Sequence, residues 1–129
     1  MKYEIDNIHL PQQTKDQLSR LKRLTGIEQW NILCRWALCL SLQEKNNPQK
    51  LRPATDSNID IAWRTFAGEH STVYYSLLID RCRQEDEDIN KENLSWLLRR
   101  HIVRGTGYLI ARRDLKNIDG LLKITSESK

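Results

Sequence analysis

The chain has 129 residues, and its 21 lysines and arginines outnumber its 17 aspartates and glutamates. No segment approaches the roughly 18 uninterrupted apolar residues of a membrane span, and the N-terminal MKYEIDNIHL lacks the apolar region of a secretory signal. None of the three cysteines forms a C-x-x-C pair, so we expect a reduced, cytoplasmic, single-domain protein over residues 1–129 without membrane contact. The formal charge of +4 favours a polyanionic partner.

Residues 1–43 predict a strand followed by two helices. Residues 3–10 alternate as in a short strand, and Pro11 suits the first turn of a helix. Gly26 is expected to end that helix in the left-handed conformation. One face of the first helix carries an apolar stripe, formed by Leu10, Leu18, Leu21 and Leu24.

The second helix, within IEQWNILCRWALCLSL, is apolar on every side. Such a helix has to be covered all round, and a domain of this size offers little protein to cover it. We therefore expect self-association into a homo-oligomer, a tetramer built from dimers. The predicted interface residues are Trp30, Leu33, Trp36 and Leu40.

The remaining chain predicts a loop over residues 44–58, then a strand and helices over residues 59–129. The segment NIDIAWRTFAG alternates as a strand, and Ser71 is a candidate N-cap for the helix after it. The acidic run EDED, residues 85–88, predicts a solvated loop. The fold class is therefore mainly α, a small helical domain with one or two short strands.

The end of the chain predicts a helix, a turn and a shorter helix. Asn90 is expected to cap the first of these helices, and Gly105 to end it. The dipeptide Asp119-Gly120 then predicts a last turn.

No catalytic or metal-binding pattern stands out. The cysteines and histidines match no zinc or iron–sulfur spacing, and no G-x-S-x-G or phosphate-loop signature is present. We therefore expect a protein that is not an enzyme and needs no metal or cofactor. The four tryptophans stand among leucines at helical positions, which favours the core over base stacking.

Basic residues are the remaining candidates for function. Together they form a surface suited to phosphates, with binding that weakens strongly in salt and reads bases little. The predicted DNA contacts are Lys15, Arg20, Lys22, Arg23, Arg99 and Arg100.

The strand, the basic helix, the Thr-Gly-Ile turn and the apolar helix over residues 3–42 resemble a ribbon-helix-helix unit. That resemblance implies paired strands in the major groove of DNA. Here the strand carries Glu4 and Asp6, and only Lys2 is basic, which disfavours base reading by the strand.

Nearly the whole chain is similar to the family of the DNA sulfur modification protein DndE. The similarity lies in LPQQTKDQLSRLKRLTGIEQWNILCRWALCLSL, IAWRTFAGEHSTVYYSLLIDRC and HIVRGTGYL. It implies a helical tetramer that binds double-stranded DNA, preferably nicked. It also implies a place in the machinery that replaces a phosphate oxygen of DNA with sulfur. The implied partners are sulfurtransferase-like and ATPase subunits.

Three other functions stay open at the level of sequence. One is a structural adaptor for those subunits, with DNA binding incidental. Another is a ribbon-helix-helix transcriptional repressor or antitoxin. The third, a small nuclease or sulfur-transfer enzyme, is disfavoured by the missing chemistry.

Overall fold

A computed structural model describes residues 5–112. The described chain is mainly helical, which confirms the fold class predicted from the sequence. None of its helices combines the length and hydropathy that crossing a membrane requires. Its elements in order are β1 (Ile8–His9), α1 (Gln12–Thr25), α2 (Trp30–Gln43), β2 (Asp60–Ile61), α3 (Trp63–Ala67), a 3-10 turn (Gly68–His70), α4 (Ser71–Gln84) and α5 (Lys91–Ala111).

The two strands pair with each other inside the chain. They run antiparallel, with Ile8 opposite Ile61 and His9 opposite Asp60. Both are shorter than predicted. The alternation after residue 58 does place Ile61 and Trp63 in the core, but Trp63 already begins α3, where its ring packs against the rings of Phe66 and Tyr75.

Helix α1 ends where the sequence predicts. Gly26 has φ 76°, in the left-handed region, and its N–H donates to the carbonyl of Lys22 at 2.9 Å. Leu18 and Leu21 are fully buried, as the stripe requires. Leu24 is 39% exposed, so its predicted place in the buried stripe is wrong.

Helix α5 is the centre of the fold, packing chiefly against α2 and also against α1 and α4. The prediction that Gly105 ends this helix is wrong, because α5 continues to Ala111. Gly105 instead lies against the backbone of Ala37 in α2, where no Cβ fits. The turn predicted at Asp119-Gly120 lies outside the described residues.

The starts of α4 and α5 differ in how they are capped. The side chain of Asn90 accepts a hydrogen bond from the N–H of Asn93 at 2.8 Å, which confirms the predicted cap. Ser71 makes no cap, contrary to prediction. Its hydroxyl accepts a hydrogen bond from the indole N–H of Trp63 at 2.9 Å, tying α4 to α3.

The apolar helix α2 is covered largely by its own chain. Leu33 and Leu40 are buried in the hydrophobic core of the described chain, so their predicted place on an oligomer surface is wrong. The physical reason is that α5 packs along α2, with α1 and α3 beside it. Trp30 and Trp36 are half-buried and remain partly accessible.

Candidate nucleic-acid interface

Helix α1 presents four cations on its solvent side. Arg20 and Arg23 are exposed, and Lys15 and Lys22 are half-buried. Between residues 5 and 112, no acidic side chain forms an ion pair with any of the four. Their positive charges are therefore not neutralised by the part of the protein that the structure describes.

Helical geometry spreads these cations across the outer surface of α1. Lys15 and Lys22 are seven residues apart and so lie on one side, whereas Arg23 points away from the buried Leu18 and Leu21. The ammonium of Lys22 lies 3.7 Å from the centroid of the Trp30 ring, which steadies the side chain without neutralising it. We call Lys15, Arg20, Lys22 and Arg23 the α1 cations.

The two predicted contacts on α5 have different environments. Arg99 is half-buried beside Trp96. Arg100 is buried, and its guanidinium donates to Glu87 Oε1 at 2.8 Å and to the carbonyl of Leu51 at 2.8 Å. The prediction that Arg100 contacts DNA is therefore wrong, because the chain itself uses its charge and its donors.

Three arginines hold the segment that follows α2 by its carbonyl groups. Arg81 donates to the carbonyls of Leu42, Glu44 and Asn46 at 2.9–3.1 Å. Arg104, on α5, donates to the hydroxyl and the carbonyl of Ser41 at 2.8 Å each and to the carbonyl of Asn46 at 2.7 Å. Arg100, also on α5, donates to the carbonyl of Leu51 further along the loop. The loop that the sequence predicts over residues 44–58 is thus anchored at its start and near its middle.

The acidic run supplies the counter-charges of these arginines. Glu85 is buried and accepts from Arg81 Nε at 3.0 Å, and Glu87 pairs with Arg100. The prediction of a solvated acidic loop is therefore wrong for these two residues, although Asp86 is exposed. The carboxylates can be buried because arginines from α4 and α5 form ion pairs with them.

Glu85 is also linked to a buried histidine and serine. His101 Nε2 lies 2.8 Å from Glu85 Oε2, and Ser41 Oγ lies 2.7 Å from His101 Nδ1. Burial opposes ionisation of Glu85, but hydrogen bonds and charge from His101 and Arg81 outweigh it and lower the pKa of the carboxyl. Burial is the main reason that the pKa of His101 is lowered, which favours the neutral ring.

Ser41, His101 and Glu85 are hydrogen-bonded in the same order as the serine, histidine and acid of a catalytic triad. Ser41 is fully buried, however, and Arg104 Nε donates to its hydroxyl at 2.8 Å. A nucleophile has to reach a substrate carbonyl, which this hydroxyl does not do in the folded chain. We assign the network a structural role, in which it ties α2, α4 and α5 together.

The thiols are poor nucleophiles in this structure. Burial raises the pKa of the Cys34 thiol to about 12 and also raises that of Cys82. Cys39 is exposed, but partial desolvation raises the pKa of its thiol by more than the positive charge of Arg35 lowers it. Within residues 5–112, no three His, Cys, Asp or Glu side chains are grouped to hold a metal ion.

The tryptophans are less buried than the sequence predicts. Only Trp63 of the four is buried, whereas Trp30 and Trp36 pack against the core while staying partly accessible. Trp96 lies beside two arginines, Arg99 and Arg52. The core assignment of Trp96 is therefore wrong. The periodicity of α5 does not reveal the contact with Arg52, because that residue comes from the loop that follows α2.

The fold and its charged helix define a small, mainly helical domain with a strand-helix-helix N-terminal unit. The family model described as DNA sulphur modification protein DndE matches residues 7–117, so the chain belongs to the DndE family. DndE is an accessory protein of the DNA phosphorothioation system.

Solved DndE structures share this fold. One is the crystal structure of DndE from Escherichia coli B7A, involved in DNA phosphorothioation modification; it is 25% identical, with a TM-score of 0.68, over 81% of this chain and 95% of that one. Another is a DndE variant with two glycine-to-lysine substitutions; it is 19% identical, with a TM-score of 0.59, over 81% and 99%. No significant match occurs among curated proteins.

Proposed function

We propose that this DndE-family chain is a non-catalytic, DNA-binding component of the phosphorothioation machinery, acting in the cytoplasm on double-stranded DNA. The single observation that carries the proposal is the set of α1 cations, Lys15, Arg20, Lys22 and Arg23, which form no ion pair with an acidic side chain within residues 5–112. Cations at such spacing neutralise phosphates and release counter-ions from DNA, whatever its base sequence.

Binding through the backbone fits better than base reading by the N-terminal strand. In a ribbon-helix-helix dimer the N-terminal strands of two copies pair with each other. Here Ile8 and His9 pair instead with β2 of the same chain. The repressor alternative therefore loses its main structural support.

A preference for nicked DNA follows from the mechanics of the duplex. An intact duplex resists bending onto a fixed protein surface, whereas a nick makes the strand locally flexible. The α1 cations lie on one rigid helix, so the DNA has to adapt to them. We propose that the lower bending cost selects nicked duplex.

Assembly into a tetramer, and contact with the sulfurtransferase-like and ATPase subunits, are part of the same proposal. The partly buried Trp30 and Trp36 keep some accessible surface for contacts between copies. A structural-adaptor role is the second candidate, favoured by Val73 and Leu77, which are 56% and 44% exposed one turn apart on α4.

Charge reversal on α1 tests the proposal. The triple variant Lys15→Glu, Lys22→Glu and Arg23→Glu should bind a fluorescent nicked duplex at least tenfold more weakly, as expected when about three phosphates are no longer neutralised. Arg83→Glu, an exposed cation on α4, serves as the control and should change affinity by less than about threefold. Unchanged binding by a triple variant with native oligomeric state would refute the α1 surface and leave the adaptor role.

A further inference from the structure

Trp96 on α5 lies in a cluster of cations at the surface. The guanidinium carbon of Arg99 is 4.0 Å from the centroid of its ring, and that of Arg52 is 5.1 Å away. A cavity of about 350 Å³ opens beside the ring. Its lining residues are Asp6, Lys91, Glu92, Ser95, Trp96 and Arg99. The site therefore joins an accessible aromatic ring with positive charge.

Arg99 is the cation of this cavity whose charge is left uncompensated. Lys91 pairs with Asp6 at 2.9 Å, and Arg52 pairs with Glu92 at 3.4 Å. Within residues 5–112, Arg99 has no acidic partner, and its guanidinium makes only long hydrogen bonds of 3.3–3.4 Å to Ser95. Partial burial lowers the pKa of Arg99, as expected for a cation that has lost water without gaining an anion.

The surrounding contacts position the cluster before any ligand arrives. The carbonyl of Leu51 accepts a hydrogen bond from buried Arg100, which is fixed in turn by Glu87, so the backbone next to Arg52 is held. Arg99 lies over the Trp96 ring, with two long hydrogen bonds to Ser95 on its own helix. A preformed site loses less conformational entropy on binding.

We propose that this cavity receives the terminal nucleotide of a DNA strand at a nick, with the base stacked on the Trp96–Arg99 pair and its phosphate against Arg99. Bases stack on aromatic rings and on guanidinium planes, and a strand end unstacks at lower cost than a base inside an intact duplex. The inference rests on the proposed function and gives it a second contact, distinct from the α1 cations, that recognises the nick itself.

Photochemical crosslinking tests the stacking directly. A nicked duplex carrying iododeoxyuridine at the strand end is irradiated with the full-length protein, and the adduct is located by mass spectrometry. The expected result is an adduct on Trp96 that is absent when the same base lies inside an intact duplex. Crosslinking confined to other residues, or equal for both duplexes, would overturn the proposal.

Substitutions give an independent readout. Trp96→Leu and Arg99→Gln should weaken binding to nicked duplex about fivefold or more and change binding to intact duplex less than about twofold, because one base no longer stacks on the protein. Trp96→Phe should retain most of the preference, and Arg83→Gln controls for the removal of one positive charge.

The outcomes separate this inference from the proposed function. If the wild-type protein binds neither duplex, both fail. If binding of nicked duplex still requires the α1 cations but is unchanged by Trp96→Leu and Arg99→Gln, the nucleotide site alone is refuted. An acidic peptide from a partner subunit that binds through Arg99 and is insensitive to Trp96→Leu would assign the cavity to protein contact.

Discussion

The backbone of Gly105, within α5, lies against the carbonyl group of Ala37 in α2, so closely that a Cβ on Gly105 would overlap the oxygen. Glycine lowers helix propensity, yet here its missing side chain lets the two most closely packed helices of the domain approach. The contact makes residue 105 a determinant of the core.

Gly105→Ala should therefore destabilise the domain by about 2 kcal/mol or more, since α5 has to shift away from α2. Gly107 is the matched control in the same helix, because a Cβ there meets nothing within 4 Å. Gly107→Ala should be neutral or stabilising by up to about 1 kcal/mol. Denaturant unfolding of both variants measures the difference, and equal effects would contradict the packing.

Gly105 also shows why a local sequence pattern does not always predict where a helix ends. A glycine near a predicted helix end is typically a stop signal, and Gly26 behaves in that way. At Gly105, a contact with a residue 68 positions earlier decides the conformation, and no local pattern contains that information. The first two helices, the Asn90 cap and the cationic α1 follow from sequence, because short-range rules govern them.

The acidic run provides a second matched pair, because neighbouring carboxylates have opposite surroundings. Glu85→Gln leaves buried Arg81 without its counter-charge and should cost about 3–5 kcal/mol. Asp86→Asn alters an exposed residue with φ 57°, a conformation that asparagine tolerates, and should change stability by less than about 0.5 kcal/mol. Thermal or denaturant unfolding distinguishes them, and similar small losses would mean that the Glu85 network contributes little.

The stability of the domain should fall in acid. The pKa of His101 is lowered below its usual value of 6.5 by burial near Arg81 and Arg104, so the unfolded chain binds a proton that the folded chain does not. The free energy of unfolding should thus decrease as pH falls below about 6.5, by at most about 1.4 kcal/mol per pH unit from this group. Glu85, whose pKa is also lowered, extends the loss below about pH 4.5.

Unfolding measured at pH 7.5 and 5.5, values chosen to be about one unit either side of the usual histidine pKa, tests this dependence. The His101→Gln variant should be less stable at both pH values. Its free energy of unfolding should differ much less between pH 7.5 and pH 5.5 than that of the wild type. His70→Gln, at an exposed histidine, should retain it. A His101→Gln variant with the wild-type pH difference would show that other groups cause it.

Cysteine substitution tests the non-catalytic proposal. Cys34→Ala, Cys39→Ala and Cys82→Ala should each support DNA phosphorothioation in cells, with a stability cost of about 1 kcal/mol at the two buried sites. The expectation follows from thiol pKa values raised above the usual range. Mass spectrometry of digested DNA measures the modification, and its loss in one well-folded variant would indicate sulfur chemistry at that thiol.

The candidate site was predictable from the sequence only where it depends on one helix and not on contacts between distant residues. The α1 cations follow from the pattern of one amphipathic helix. Arg100 does not, because its partner Glu87 precedes it by 13 residues and reaches it only through the turn before α5. Trp96 depends likewise on Arg52, 44 positions earlier, so its surroundings require the folded chain.

The salt dependence of DNA binding shows whether the α1 cations contact DNA phosphates. Affinity for nicked duplex is measured by fluorescence anisotropy at several salt concentrations, for the wild type and for a variant with Lys15→Gln, Lys22→Gln and Arg23→Gln. If the α1 cations contact phosphates, the log–log slope should be steep for the wild type and shallower by roughly two to three units in the variant, about one for each phosphate that the variant no longer neutralises. Equal slopes and equal affinities for both proteins would contradict that contact.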